Sequence, residues 1–215
     1  MKSLVGLSAE RPCPVLPAHL LANARIVPKR SDILRHLPKG GTYVEIGVAL
    51  GDYSDTIMKI CKPSMFIAMD IFTVHENTKI WGKPTADVLR GMTHEAFYRD
   101  RFKAPIDAGR MRVMAGDSAE SLAQLEDGSI NVAYVDADHT YDFVKGELAL
   151  LNSKVSQTGW IVLNDYTMGN IVSSGFKRFG VIQAVHEFML TEHWEMTFLA
   201  LHPLMYCDVA IRRVA

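Results

Sequence analysis

The stretch "INVAYVDADHTYDFVKGELALLNSKVSQTGWIVLNDY", Ile130–Tyr166, holds two apolar runs separated by a helical pattern. Ile130 to Val135 is a short continuous run of the kind buried on both faces of a sheet, and it empties into Asp136, Asp138 and His139. Tyr141, Val144, Leu148 and Leu151 then recur at helical spacing, and "GWIVLNDY" is a second β-rich run that also ends in acid. Two such strands joined by a helix, with no tight turn between them, form a parallel crossover.

The same pattern extends outward from this unit. Upstream, "GTYVEIGV", "MFIAMDIF" and "RMRVMAGDS" are three more apolar strands. "GDYSDTIMKIC" follows the first as a helix, with Ile57, Ile60 and Cys61 at helical spacing, and "SAESLAQL" follows the third, with Ser118 as its expected N-cap. A long connection from Thr73 carries a further helix in "HEAFYRDRF"; its His75, Trp81 and His94 are expected in solvated loop. Downstream, a polar, glycine-containing segment through Gly180 leads to the helix "VIQAVHEFMLTE", where His186 is expected to be packed. The last two strands, "EMTFLAL" and "YCDVAIRRV", are joined by a short link and must be antiparallel. The fold class is therefore α/β: a three-layer sandwich around a mostly parallel seven-stranded sheet with a C-terminal antiparallel hairpin. Residues 1–40 are assigned to an N-terminal arm with short helices in "AHLLANARI" and in "SDILRHL", the latter capped by Ser31, and residues 41–215 to one domain.

Composition narrows the class. A chain of 215 residues that is 48% hydrophobic and 22% charged supports one sizeable core. A net charge of −1 provides no basic stripe for a nucleic-acid backbone. Cys13, Cys61 and Cys207 are scattered and odd in number, which argues against a disulfide framework and for a reducing cytoplasm. "MKSLVGLSAERPCPVLP" lacks the apolar core of a signal peptide, and no apolar run approaches the ~18 residues of a membrane span. A cytoplasmic protein without nucleic-acid or membrane partners is expected, and self-association into a homo-oligomer stays open.

In open α/β sheets ligands bind beyond the carboxyl ends of the strands. Those ends carry Glu45, Asp70, Asp117, Asp136 and Asp165, so successive strands deliver acids to one rim. Gly47 and Gly51 let the first strand–helix turn approach a ligand closely, although Ala49 breaks the usual glycine spacing. Asp70 follows Gly51 by about twenty residues, the interval at which an acid accepts from ribose hydroxyls. The structural alternatives are a glycine turn without a ligand and a polar strand end.

"VEIGVALGDYS", "FIAMDIF", "AGDSAESLAQL", "AYVDADHTYDFVKGEL" and "GWIVLNDY" occur in the order found in class I S-adenosylmethionine-dependent methyltransferases. The chain most resembles the small-molecule O-methyltransferase group with a D-x-D-H-x-Y segment, over roughly Gly41 to Tyr166. The resemblance implies a Rossmann-like domain. It also implies that Glu45, Gly47 and Gly51 hold the methionine part of S-adenosylmethionine, that Asp70 binds its ribose, and that Gly116, Asp117 and Ser118 border its adenine. Asp136 is expected to orient the cofactor if it holds no metal. A carboxylate at Glu45 would also repel a dinucleotide pyrophosphate, which counts against NAD(P).

With the fourth and fifth strands adjacent, Asp136, Asn164 and Asp165 offer hard oxygens suited to Mg²⁺, Mn²⁺ or Ca²⁺. Such a cation would make a hydroxyl easier to deprotonate. Methyltransferases of the catechol and antibiotic-sugar types place their ligands after these strands. His139 stands where the catechol type carries a lysine base, and Asp138 is the rival. Helix capping competes for Asp138 and Thr140. The resulting expectation is methyl transfer to a small-molecule hydroxyl, on a sugar or natural product, with a divalent metal. Alternatives are a metal-independent enzyme using His139, an NAD(P)-binding oxidoreductase, and a non-catalytic cofactor-binding partner.

Overall fold

The computed structural model describes residues 12–172, 175–204 and 206–214. The first part of the expected N-terminal arm, residues 1–11, lies outside the described residues. The elements in chain order begin with β1 (Arg25–Val27), α1 (Arg30–His36), β2 (Thr42–Ile46), α2 (Asp52–Cys61) and β3 (Met65–Asp70). A small hairpin, β4 (Lys79–Ile80) and β5 (Lys83–Pro84), precedes α3 (Thr85–Val88), α4 (His94–Arg101) and α5 (Lys103–Asp107). Next come β6 (Met111–Ala115), α6 (Ser118–Ala123), β7 (Ile130–Val135), α7 (Tyr141–Lys154) and β8 (Val155–Leu163). A second hairpin, β9 (Gly169–Val172) and β10 (Gly175–Arg178), leads to α8 (Val181–Glu192), β11 (Trp194–Ala200) and β12 (Asp208–Arg213).

The central sheet has the order β1-β11-β12-β8-β7-β2-β3-β6. All its pairs are parallel except those made by β12, which is antiparallel to both β11 and β8. The α/β class and the terminal hairpin are as expected. The sheet has eight strands rather than seven, because Arg25–Val27 pairs with β11 at the edge; in that region only Ala18–Leu21 is helical, as a 3-10 turn. The polar segment before Gly180 folds as the β9–β10 hairpin. Among the described residues no helix is long and apolar enough to cross a membrane.

Alternation along the strands divides the core in two. Val44, Ile46, Met69, Val135 and Leu163 face α6, α7 and α8, where Leu122, Val144, Leu148, Leu151, Ala184 and Val185 complete one cluster. Tyr43, Phe66, Ala68, Tyr134 and Val162 face the other way, against Ile33 and Leu34 of α1 and Ile57 of α2. Each buried aliphatic or aromatic side chain contributes about 1.5–3 kcal/mol relative to exposure. The two clusters clamp the sheet from both sides and fix the relative positions of its strand ends. Lys62, at φ 50°, ends α2 in the left-handed conformation and Pro63 prevents its continuation. The chain therefore re-enters the sheet as β3 directly beside β2.

Candidate functional site

The exits of β2, β3, β6 and β7 surround a cavity of about 450 Å³. Gly47, Asp70, Asp117, Ser118, Asp136 and Asp138 line it, with Met69, Ile71 and Phe143 as apolar wall. Gly47 is at φ 84°, and a Cβ there would collide with the Asp136 carbonyl, so the β2 and β7 exits touch only because this residue is glycine.

Asp70 organises the loop after β2. Its Oδ2 accepts from the amides of Val48 at 2.8 Å and Ala49 at 3.2 Å, and its Oδ1 accepts from Phe72 N at 2.7 Å. Ala49 occupies the left-handed region at φ 44°, which glycine would enter without strain. Its carbonyl accepts from His94 Nε2 at 2.6 Å, and His94 is fully buried against Phe72. His94 thus belongs to the frame of the loop, not to solvated chain. Only its place at the start of a helix, beside Phe97 and Tyr98, hinted at this.

Several expected residues lie behind or beside this cavity. Glu45 is 1% exposed and accepts from Ser54, which in turn accepts from Tyr98 at 2.9 Å. Burial pushes its carboxyl up to about 8, against the Ser54 hydrogen bond, which favours the protonated form. Glu45 does not line the cavity, so the repulsion expected toward a pyrophosphate is weakened. Gly51, at φ 86°, is a packing glycine whose Cβ would strike Phe102 and Tyr98. Gly116 donates its amide to the Asp70 carbonyl at 2.9 Å, joining the β3 and β6 exits. Asp117, not Ser118, caps α6, accepting from Ala119 N at 2.8 Å and Glu120 N at 3.1 Å. Ser31 likewise falls inside α1 rather than at its cap.

The β7 and β8 exits hold the rest. His139 stacks on Phe179, with ring centroids 4.7 Å apart, and its Nε2 lies 3.4 Å from Asp165 Oδ2 and 3.8 Å from Asp136 Oδ1. That nitrogen is buried without a hydrogen-bond partner. Burial lowers the His139 pKa, opposed by Asp165, which favours neutral imidazole. Burial raises Asp165, against the pull of His139, and pushes Asp136 up to about 8, against the pull of Arg30. Asp138 accepts from Thr140 N at 2.7 Å, an Asx turn ahead of α7, whose N-cap residue Thr140 makes no side-chain cap hydrogen bond.

The expected oxygen cluster for a cation does not assemble. Asn164 donates Nδ2 to Asp208 at 3.2 Å, Asp165 faces His139, and Asp136 faces the Arg30 guanidinium at 3.7 Å. Among the described residues there is no group of three or more His, Cys, Asp or Glu that could hold a metal ion. These residues do not fit Mg²⁺, Mn²⁺ or Ca²⁺; a guanidinium supplies the positive charge instead. Arg30 also lies over the Tyr53 ring at 4.2 Å and reaches Tyr134 Oη at 3.4 Å, while Tyr134 donates to Asp208 at 2.7 Å. Arg30, Tyr134 and Asp208 escaped the reading of the sequence, which had no signal joining residue 30 to residue 136.

Comparison with known proteins follows this geometry. Residues 44–166, more than half of the chain, match the model of a family described as a methyltransferase domain. No curated protein sequence matches the chain. A precorrin-6y C5,15-methyltransferase from Geobacter metallireducens is 12% identical at a TM-score of 0.55, with 86% of each chain covered. A geranyl diphosphate methyltransferase solved with that substrate and sinefungin is 9% identical at a TM-score of 0.59, covering 86% of this chain and 78% of that one. A Klebsiella pneumoniae protein described as a candidate O-methyltransferase is 13% identical at a TM-score of 0.53, covering 81% and 73%. At these identities the likeness is one of fold, and the named acceptors differ widely.

Proposed function

The chain belongs to the S-adenosylmethionine-dependent methyltransferase family, and on that premise we propose that it methylates a hydroxyl oxygen of a small molecule, with His139 as base and no metal. The observation that supports this most directly is the buried, unpartnered Nε2 of His139 beside a strand-end cavity of cofactor size.

The residues fit the cofactor in kind. Asp70 and Asp117 stand where hydroxyl and amino groups can donate to them, Ser118 offers a hydroxyl, and Met69, Ile71 and Phe143 give a purine an apolar wall. S-adenosylmethionine, when bound, supplies an electrophilic methyl carbon on a sulfonium and leaves as the neutral thioether. His139 would take up the proton that the acceptor hydroxyl releases on methylation, and Asp165 at 3.4 Å would stabilise the imidazolium. Positioning carries much of the remaining barrier, because oxygen, carbon and sulfur must lie in line. Asp138 is the weaker base, since its carboxylate is committed to the Thr140 amide.

Calorimetry with S-adenosylhomocysteine and with NADH tests the cofactor, and release of S-adenosylhomocysteine from hydroxyl compounds in EDTA tests the reaction. Binding of S-adenosylhomocysteine alone and EDTA-resistant turnover are expected. A preference for NADH, or turnover abolished by EDTA and restored by Mg²⁺, would overturn the proposal.

A further inference from the structure

A second cavity, of about 350 Å³, opens at the same carboxyl edge of the sheet on the other side of Asp136. Lys29 and Arg30 enter it from the chain that follows β1, Tyr53 from α2, and His202 and Tyr206 from the link between β11 and β12. An ion pair links the two linings: Asp136 lines the first cavity, and its partner Arg30, 3.7 Å away, lines the second. His139 lines neither cavity, and its buried Nε2 lies 3.8 Å from Asp136 Oδ1, next to that contact.

Resting on the methyl-transfer reading, we propose that this second cavity holds the acceptor and that the acceptor carries a carboxylate, received by Arg30 and Lys29, on a flat ring framed by His202 and Tyr206. The charge balance supports an anion. Of the two acids in the wall, Asp52 is paired with Arg101 at 2.7 Å. Asp208 is 2% exposed and turned inward, accepting from Tyr134 and Asn164. The cations are less fully answered. Lys29 has no ion-pair partner among the described residues, and among them Arg30, whose charge is also felt by Asp208, bonds only through Nη1, to Tyr134 and Asp136, so that Nε and Nη2 face no protein acceptor there. A guanidinium edge matches a carboxylate with two parallel hydrogen bonds. Its stacking on Tyr53 at 4.2 Å holds that edge in place before any ligand arrives.

A matched pair of probes tests this on the full chain: 3-hydroxybenzoate and 3-hydroxybenzyl alcohol share ring and hydroxyl and differ in charge. Each is titrated calorimetrically with and without saturating S-adenosylhomocysteine. The carboxylate is expected to bind at least tenfold more tightly, with the preference weakened by salt and cut about tenfold by Arg30→Gln. Lys29→Gln, on an exposed side chain, is expected to cut it at least threefold and guards against misfolding of the Arg30 variant. Equal affinities, no binding of either probe, or a preference intact in both variants overturns the acceptor assignment. Failure of S-adenosylhomocysteine to bind would instead strike the methyl-transfer reading, and the titration without it still decides whether the pocket selects the carboxylate.

Discussion

His139 Nε2 lies 3.4 Å from Asp165 Oδ2, and the two residues come from the exits of neighbouring parallel strands. The imidazole is held by its stacking on Phe179, so the place of its buried nitrogen is fixed before any acceptor binds. Replacing His139 by Ala is expected to lower kcat by about 10²–10⁴-fold, the usual span of general-base catalysis, with the dissociation constant of S-adenosylhomocysteine changed less than threefold. Burial lowers the His139 pKa from 6.5, so the rate should climb with pH on a limb below 6.5 and be level above it. That limb belongs to the His139–Asp165 pair. Full turnover in His139→Ala would remove the base assignment and turn attention to Asp138.

Asp70 ties the loop after β2 to β3 through two amides, and this places the loop as well as the acid. Asp70→Ala leaves these two amides and that of Phe72 unanswered and should cost about 1–3 kcal/mol in urea denaturation. S-adenosylhomocysteine affinity should fall at least tenfold, since the loop and the ribose partner are lost together. Asp70→Asn keeps one acceptor oxygen and should fall between. An unchanged affinity in Asp70→Ala would show that the loop binds nothing through this acid.

The strands of the central sheet were legible where apolar runs are continuous, as in Ile130–Val135 and Met65–Asp70. β1 was not, because Arg25 and Ile26 are exposed and only Val27 is buried, so three residues leave no pattern. β10 is exposed throughout, so its sequence carries no burial pattern, and it pairs with β9. Strand parity did contain the fate of Glu45: Val44 and Ile46 face one cluster, and so Tyr43 and Glu45 must face α2. The cap of α6 was missed by one residue, since Asp117 and Ser118 are both competent caps and only the helix start decides. The Arg30–Asp136 contact was illegible for another reason. It depends on β1 carrying the N-terminal segment to the far edge of the sheet, a long-range pairing without a local signature.

Ala49 gives a prediction of opposite sign to most loop substitutions. Its φ of 44° places a Cβ in the region that costs an L-residue roughly 1–2 kcal/mol, and its amide and carbonyl are both committed, to Asp70 and His94. Ala49→Gly removes that strain but adds freedom to the unfolded chain, offsetting about 0.4–1 kcal/mol. A net gain of about 0.5–1 kcal/mol is expected, read as a higher urea midpoint at constant slope. A loss of stability would mean that the loop is not strained at this residue.

Glu147 makes stability depend on pH in a direction contrary to most carboxylates. It lies on α7 at 3% exposure, and burial pushes it from 4.5 up to about 7, against the smaller pull of a hydrogen bond from Ser118. Between these two values the folded state binds more protons than the unfolded one, so stability falls as pH rises through the window. The loss by pH 8 amounts to about 3 kcal/mol if the full shift is expressed. Glu45 and Asp136, each raised to about 8, add the same trend to wild type and to a Glu147 variant alike. Comparing wild type with Glu147→Gln therefore isolates this one acid. The variant is expected to match wild type in Tm near pH 5 and to exceed it by several degrees at pH 8. Parallel Tm curves across that range would show that Glu147 stays ionised in the fold or is reached by water.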